Sequence, residues 1–104
     1  DPANDVGTFL ATLRQLGIRQ SLKARGSSAA VARSHWLREL EQHFLDAYCA
    51  ASARVPEFQL RATWYEAAAL MRKALRGFGR SPRSPMPAAL AAEAQRCLDL
   101  LPAV

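Results

Sequence analysis

Alanine governs what this chain can become. Of 104 residues 21 are Ala, against four Phe and two Tyr, so residues that favour helix far outnumber the β-branched and aromatic ones that favour strand. Apolar positions recur at spacings of three and four, the period of a helix with one buried stripe. The expectation is an all-α fold: four to five helices in an orthogonal or irregular bundle. At this length residues 1–104 form a single helical domain with no room for a second core. Surface scaling gives a folded area of roughly 5,800 Å² and a buried fraction of about 65%, enough for a modest core. No apolar run approaches the roughly 20 residues needed to span a bilayer, and no charged stretch followed by an apolar one opens the chain. Neither a membrane-spanning chain nor a secreted precursor is expected.

The pattern divides into helices at about 3–17, 29–53, 56–77 and 87–101. In the first, Val6, Phe9, Leu10, Leu13 and Leu16 or Gly17 form the inward stripe, Asp1 and Pro2 give a start signal, and Gly17 is the expected stop. Ser27 or Ser28 is the cap expected for the second helix, whose core face reads Leu37, Leu40, Phe44, Leu45 and Tyr48, with Trp36 at its edge. Pro56 restarts the pattern for a third helix with Leu60, Trp64, Ala67, Ala68, Met71 and Leu75 inward. Gly77, Gly79, Pro82, Pro85 and Pro87 mark a loop, and Leu90, Ala94, Cys97, Leu98 and Leu101 form the inward stripe of the last helix.

Fourteen Lys and Arg outweigh nine Asp and Glu, giving a net charge of +5. The densest basic group is Arg72, Lys73, Arg76, Arg80 and Arg83. A solvated face is the ordinary reading of such a group and an anion site the sharper one. Nucleic acid is not the favoured partner, because the arginines are spread along the chain rather than gathered into an arm. Cys49 and Cys97 lie 48 residues apart without metal-ligand spacing, which reads as two buried reduced thiols in a cytoplasmic protein.

Asp1-Pro2-Ala3-Asn4-Asp5-Val6 resembles the Asp-Pro-Ala-x-Asp-Leu signature of aminoglycoside phosphotransferase-like and choline kinase-like small-molecule kinases. Phe44-Leu45-Asp46-Ala47-Tyr48 is similar to a Phe-Leu-x-Gly-Tyr run in that family, and the Pro56-Glu57 helix start with its Trp and Ala-rich continuation fits the same pattern. The resemblance covers most of residues 1–78. It implies a protein kinase-like fold of which this chain is the helical C-terminal lobe segment. The parent enzyme would transfer the γ-phosphoryl group of ATP, with magnesium, to a hydroxyl of a small-molecule acceptor. By that resemblance Asp5, with Asp1 beside it, supports the catalytic loop by accepting backbone amide hydrogen bonds. Asp46, Glu57, Glu66 and Tyr65 are then candidates to line the acceptor pocket.

The departures from the family are equally specific. No Gly-rich phosphate loop occurs, and neither His35 nor His43 is followed by the Gly-Asp of a His-Gly-Asp loop. The chain is therefore expected to be a fragment of a longer kinase-like protein, with no catalytic residue or cofactor of its own, whose partner is the N-terminal kinase part. Two other classes compete with this reading: a stand-alone helical module for an acidic partner or nucleic acid, and a self-association domain forming a homodimer through its exposed surface.

Other constellations read more simply. His35, Glu39 and His43 share a helix face but offer no fourth zinc ligand, so a solvated polar set is preferred. Surface solvation or pairing with Arg is the ordinary fate of Asp46, Glu57 and Glu66. Tyr48 and Trp64 fall on stripes read as inward, so core packing is expected of both.

Overall fold

The computed structural model describes the backbone of residues 2–23, 28–52 and 55–102, and the side chains of 2–23, 35–48 and 57–102. Among the described residues four helices make up the fold: α1 (Pro2–Lys23), α2 (Ser28–Ser52), α3 (Val55–Arg80) and α4 (Met86–Asp99). The described residues include no strand, so the all-α expectation holds. Asp1, Ser27 and the side chains of Ser28 and Cys49 lie outside the described residues.

Helix α3 is the spine. It packs along α1 on one side and α4 on the other, while α2 rests mainly on α1. Two clusters fill the interior. One joins Ala3, Val6 and Leu10 of α1 to Phe58 and Ala62 of α3; the other joins Ala11 to Ala67, Leu70 and Ala74 of α3 and to Leu90, Ala94 and Cys97 of α4. Alanine makes this arrangement possible, because methyl-sized side chains let backbones approach closely. Gly7 carries the approach furthest: a Cβ there would stand 2.6 Å from Tyr65 Cβ and 2.7 Å from the Ala62 carbonyl oxygen. Neither atom can swing aside, so α1 crosses α3 at a point that only glycine fits.

That close packing corrects the expected inward face of α3. Leu60, Trp64, Met71 and Leu75 are exposed and Ala68 is half-buried; of the expected stripe Ala67 alone is buried, and the rest of the buried face is Phe58, Ala62, Glu66, Ala69, Leu70 and Ala74. A helix wedged between two neighbours turns its narrow face inward, because bulky residues there would force all three apart. On α2 only Leu37, Phe44 and Leu45 of the expected stripe are half-buried, while Leu40, Tyr48 and Trp36 are exposed. Phe9, Leu16 and Leu98 are likewise exposed.

Helix α1 also runs through its expected stop. Gly17 sits inside the helix, buried against Leu37, and the helix continues beyond it to Lys23. Between α3 and α4 the expected loop shrinks to residues 81–85, because α3 continues through Gly77 and Gly79 to Arg80. Ser81 N donates to the Gly77 carbonyl at 2.8 Å and Ser84 N to the Ser81 carbonyl at 3.0 Å, which folds the connection into a tight turn.

Candidate functional site

The charged interior was not expected from the apolar pattern. Arg14 on α1 reaches toward three glutamates on three different helices. Its Nη2 lies 2.9 Å from Glu41 Oε2 of α2, its Nε donates to Glu66 Oε1 of α3 at 2.5 Å, and its Nη1 donates to Glu93 Oε2 of α4 at 2.7 Å. One guanidinium thus ties every helix together. Its five N–H donors in a fixed plane suit that role better than a lysine could. Glu93 also accepts a hydrogen bond from Arg96 on the next turn of α4.

Burial and charge shift the groups of this cluster. Glu41 is pushed up to about 8, first by burial and then by the nearby Glu66 and Glu93 carboxylates, against the pull of Arg14. Its second oxygen, Oε1, is buried with no hydrogen-bond partner among the described residues. Glu66 shifts upward as well, again from burial, although Arg14 and a hydrogen bond from Cys97 oppose the shift. Burial acts against the charge on Arg14, yet Glu66 and Glu41 outweigh it and keep the guanidinium protonated. Cys97, a buried free thiol, is pushed up to about 12 by burial and by the Glu66 carboxylate, so it is inert as a nucleophile at neutral pH. Chemically the arrangement is a tether with one carboxyl group inclined to hold a proton.

Glu66 is the one expected acceptor-pocket residue that enters this cluster, and it does so paired to Arg14. Asp46 is exposed and accepts a hydrogen bond from Gln42 Nε2 at 2.8 Å. Glu57 is exposed in the first turn of α3, and Tyr65 meets Trp64 edge to face at 5.4 Å. The structure does not gather these residues into one pocket. Asp5 is exposed in the first turn of α1, one turn before Phe9, which packs on Phe44 at 4.8 Å; Asp1, its companion in the expected loop-supporting role, lies outside the described residues. His35 Nε2 lies 2.9 Å from Glu39 Oε1, an exposed i,i+4 contact. Among the described residues no group of three or more His, Cys, Asp and Glu is placed to hold a metal ion.

A signal for the cluster was present in the sequence. Arg14 falls between Leu10 and Gly17, Glu41 between Leu37 and Leu45, Glu66 between Ala62 and Leu70, and Glu93 between Leu90 and Cys97. Each charged residue interrupts an apolar stripe in register, and one base with three acids at such positions is a pairing problem that a buried cluster solves.

No protein-family model matches this chain, and neither a curated protein nor a solved structure does. Among the described residues, fold and interior together define an all-α unit of four helices tied by an arginine–triglutamate cluster in which Glu41 and Glu66 are buried and Arg14 and Glu93 half-buried. No helix among the described residues is long and apolar enough to cross a membrane.

Proposed function

We propose that this chain is a helical lobe that works docked against the remainder of a small-molecule kinase of the aminoglycoside phosphotransferase-like and choline kinase-like kind. The observation that carries the reading is the outer face of α3. Leu60, Trp64, Met71, Leu75 and Phe78 are all exposed, and with half-buried Ala68 their spacings of three and four keep them on one face for nearly the whole helix. A face this long is the kind that a partner covers.

The surface area agrees. The chain exposes 6806 Å². That exceeds the roughly 5,800 Å² expected of a compact protein of this mass by about 1,000 Å². One partner in a standard interface contributes about 800 Å². The similarity of the first six residues to the kinase signature names the kind of parent, and the exposed Asp5 carboxylate is free of the buried cluster and accessible to backbone amides from outside this unit. Among the described residues no group is placed to hold a metal ion, and by the resemblance magnesium, ATP and the γ-phosphoryl transfer to an acceptor hydroxyl are assigned to the remainder of the parent.

The test uses the full-length gene product. Asp5→Ala should lower turnover more than tenfold while the KM for ATP stays within twofold, because a residue that braces the catalytic loop shapes the transition state more than nucleotide binding. Equal activity of variant and wild type would remove the role. A second reading, a self-association module, is favoured by the same α3 face. It predicts a stable homodimer and no phosphotransfer in the full-length product.

A further inference from the structure

Opposite the apolar stripe, the last turns of α3 carry a different surface. Lys73, Arg76 and Arg80 follow one another at spacings of three and four and line a groove of about 290 Å³ between α3, the 81–85 turn and the start of α4. Its floor is apolar and closely packed. Pro87 and Leu90 are buried, and a Cβ on Gly77 would come within 2.8 Å of Pro87 Cγ. Ser81 and Ser84 bring hydroxyls to the rim, and among the described residues no carboxylate lines the groove.

The polar contacts inside it leave the positive charge uncompensated. Lys73 Nζ donates to Gln15 Oε1 at 2.9 Å, so the ammonium is held by a neutral amide rather than by an acid. Burial, then the charges of Arg76, Arg19 and Arg72, push the Lys73 pKa below its ordinary value, which reports a local excess of cations. Ser84 Oγ accepts from Met86 N at 3.2 Å, which fixes the turn against the first residue of α4. The first residues of α4 line the same groove, with the Met86 N–H taken up by Ser84. Three cations and two hydroxyls around one cavity with a rigid floor suit an anion carrying several oxygens.

We propose that this groove binds a small phosphate-bearing anion, with Lys73, Arg76 and Arg80 neutralising the phosphate and Ser81 and Ser84 donating to its oxygens. Size favours a small ligand over a nucleic acid. From Lys73 to Arg80 the helix rises only about 10 Å, room for one or two phosphates rather than a track along a strand. The site is separate from the α3 stripe and holds whichever partner covers that stripe.

Calorimetry with inorganic phosphate and with a phosphate monoester, at constant ionic strength, tests the site. Arg76 is exposed, so Arg76→Gln leaves the core intact, and Arg61→Gln, elsewhere on α3, removes the same charge outside the groove. Saturable binding weakened at least fivefold by R76Q and less than twofold by R61Q, with phosphate-dependent NMR shifts at the Ser81 and Ser84 amides, supports the proposal. Equal effects of the two variants, no saturable binding, or binding to oligonucleotides alone overturns it.

Discussion

Gly7 and Gly17 look alike in sequence, yet their surroundings give them different weights. At Gly7 an added methyl meets the backbone of α3, at 2.7 Å from both the Ala62 carbonyl oxygen and Glu66 N. At Gly17 it meets only the tip of Leu37, at 2.5 Å from Cδ1, which a rotamer change can move. Gly7→Ala should therefore destabilise the fold by about 1–3 kcal/mol through overpacking. That outweighs the roughly 1 kcal/mol that alanine gains over glycine in a helix interior. Gly17→Ala should come out near neutral. Urea midpoints of the two variants measure the contrast, and similar midpoints would show that α1 and α3 are not in close contact at Gly7. The position of Gly7 was plain in the sequence, but its need was not, since only the crossing of two helices remote in sequence creates it.

Among the elements α3 shows best how a helix chooses its inner face. Its sequence offers two faces, one rich in alanine and one in Leu, Trp and Met, and hydrophobicity alone selects the second. The structure buries the first, because α3 is flanked on both sides and close approach there brings three helices into contact. The interior accordingly holds few large residues. Leu10, Leu70 and Leu90 are fully buried, each contributing roughly 1.5–3 kcal/mol, whereas twelve large hydrophobic side chains among the described residues stay exposed. Leu75, at 64% exposure, is the most open residue of the α3 stripe. Leu75→Glu should leave the thermal midpoint of the isolated chain within a few degrees and abolish any concentration-dependent association seen by sedimentation. A large loss of stability in a strictly monomeric chain would mean that the stripe is core after all.

For the molecule as a whole, the Arg14 cluster makes stability depend on pH. Glu41 joins α2 to the rest, and its carboxyl shifts from an ordinary 4.5 up to about 8. The folded chain therefore keeps a proton that the unfolded chain releases. This contribution is fully present below about pH 4.5 and is lost as pH rises through 8, with Glu66 shifting in the same direction. Glu41→Gln should flatten the fall in melting temperature between pH 5 and 9 and leave the variant more stable than wild type at pH 9. An unchanged slope would assign the dependence to other groups.

The all-α class, the division into helices and a break around Pro82 and Pro85 follow from local chemistry: alanine content, apolar spacing and the placement of proline, whereas the glycines read as stops lie inside helices. Which stripe turns inward, why charges interrupt each stripe and where the basic residues of α3 form a groove depend on contacts between segments far apart in the chain. Helix periodicity fixes which residues share a face, but only the neighbours packed against that face decide whether it meets protein or water.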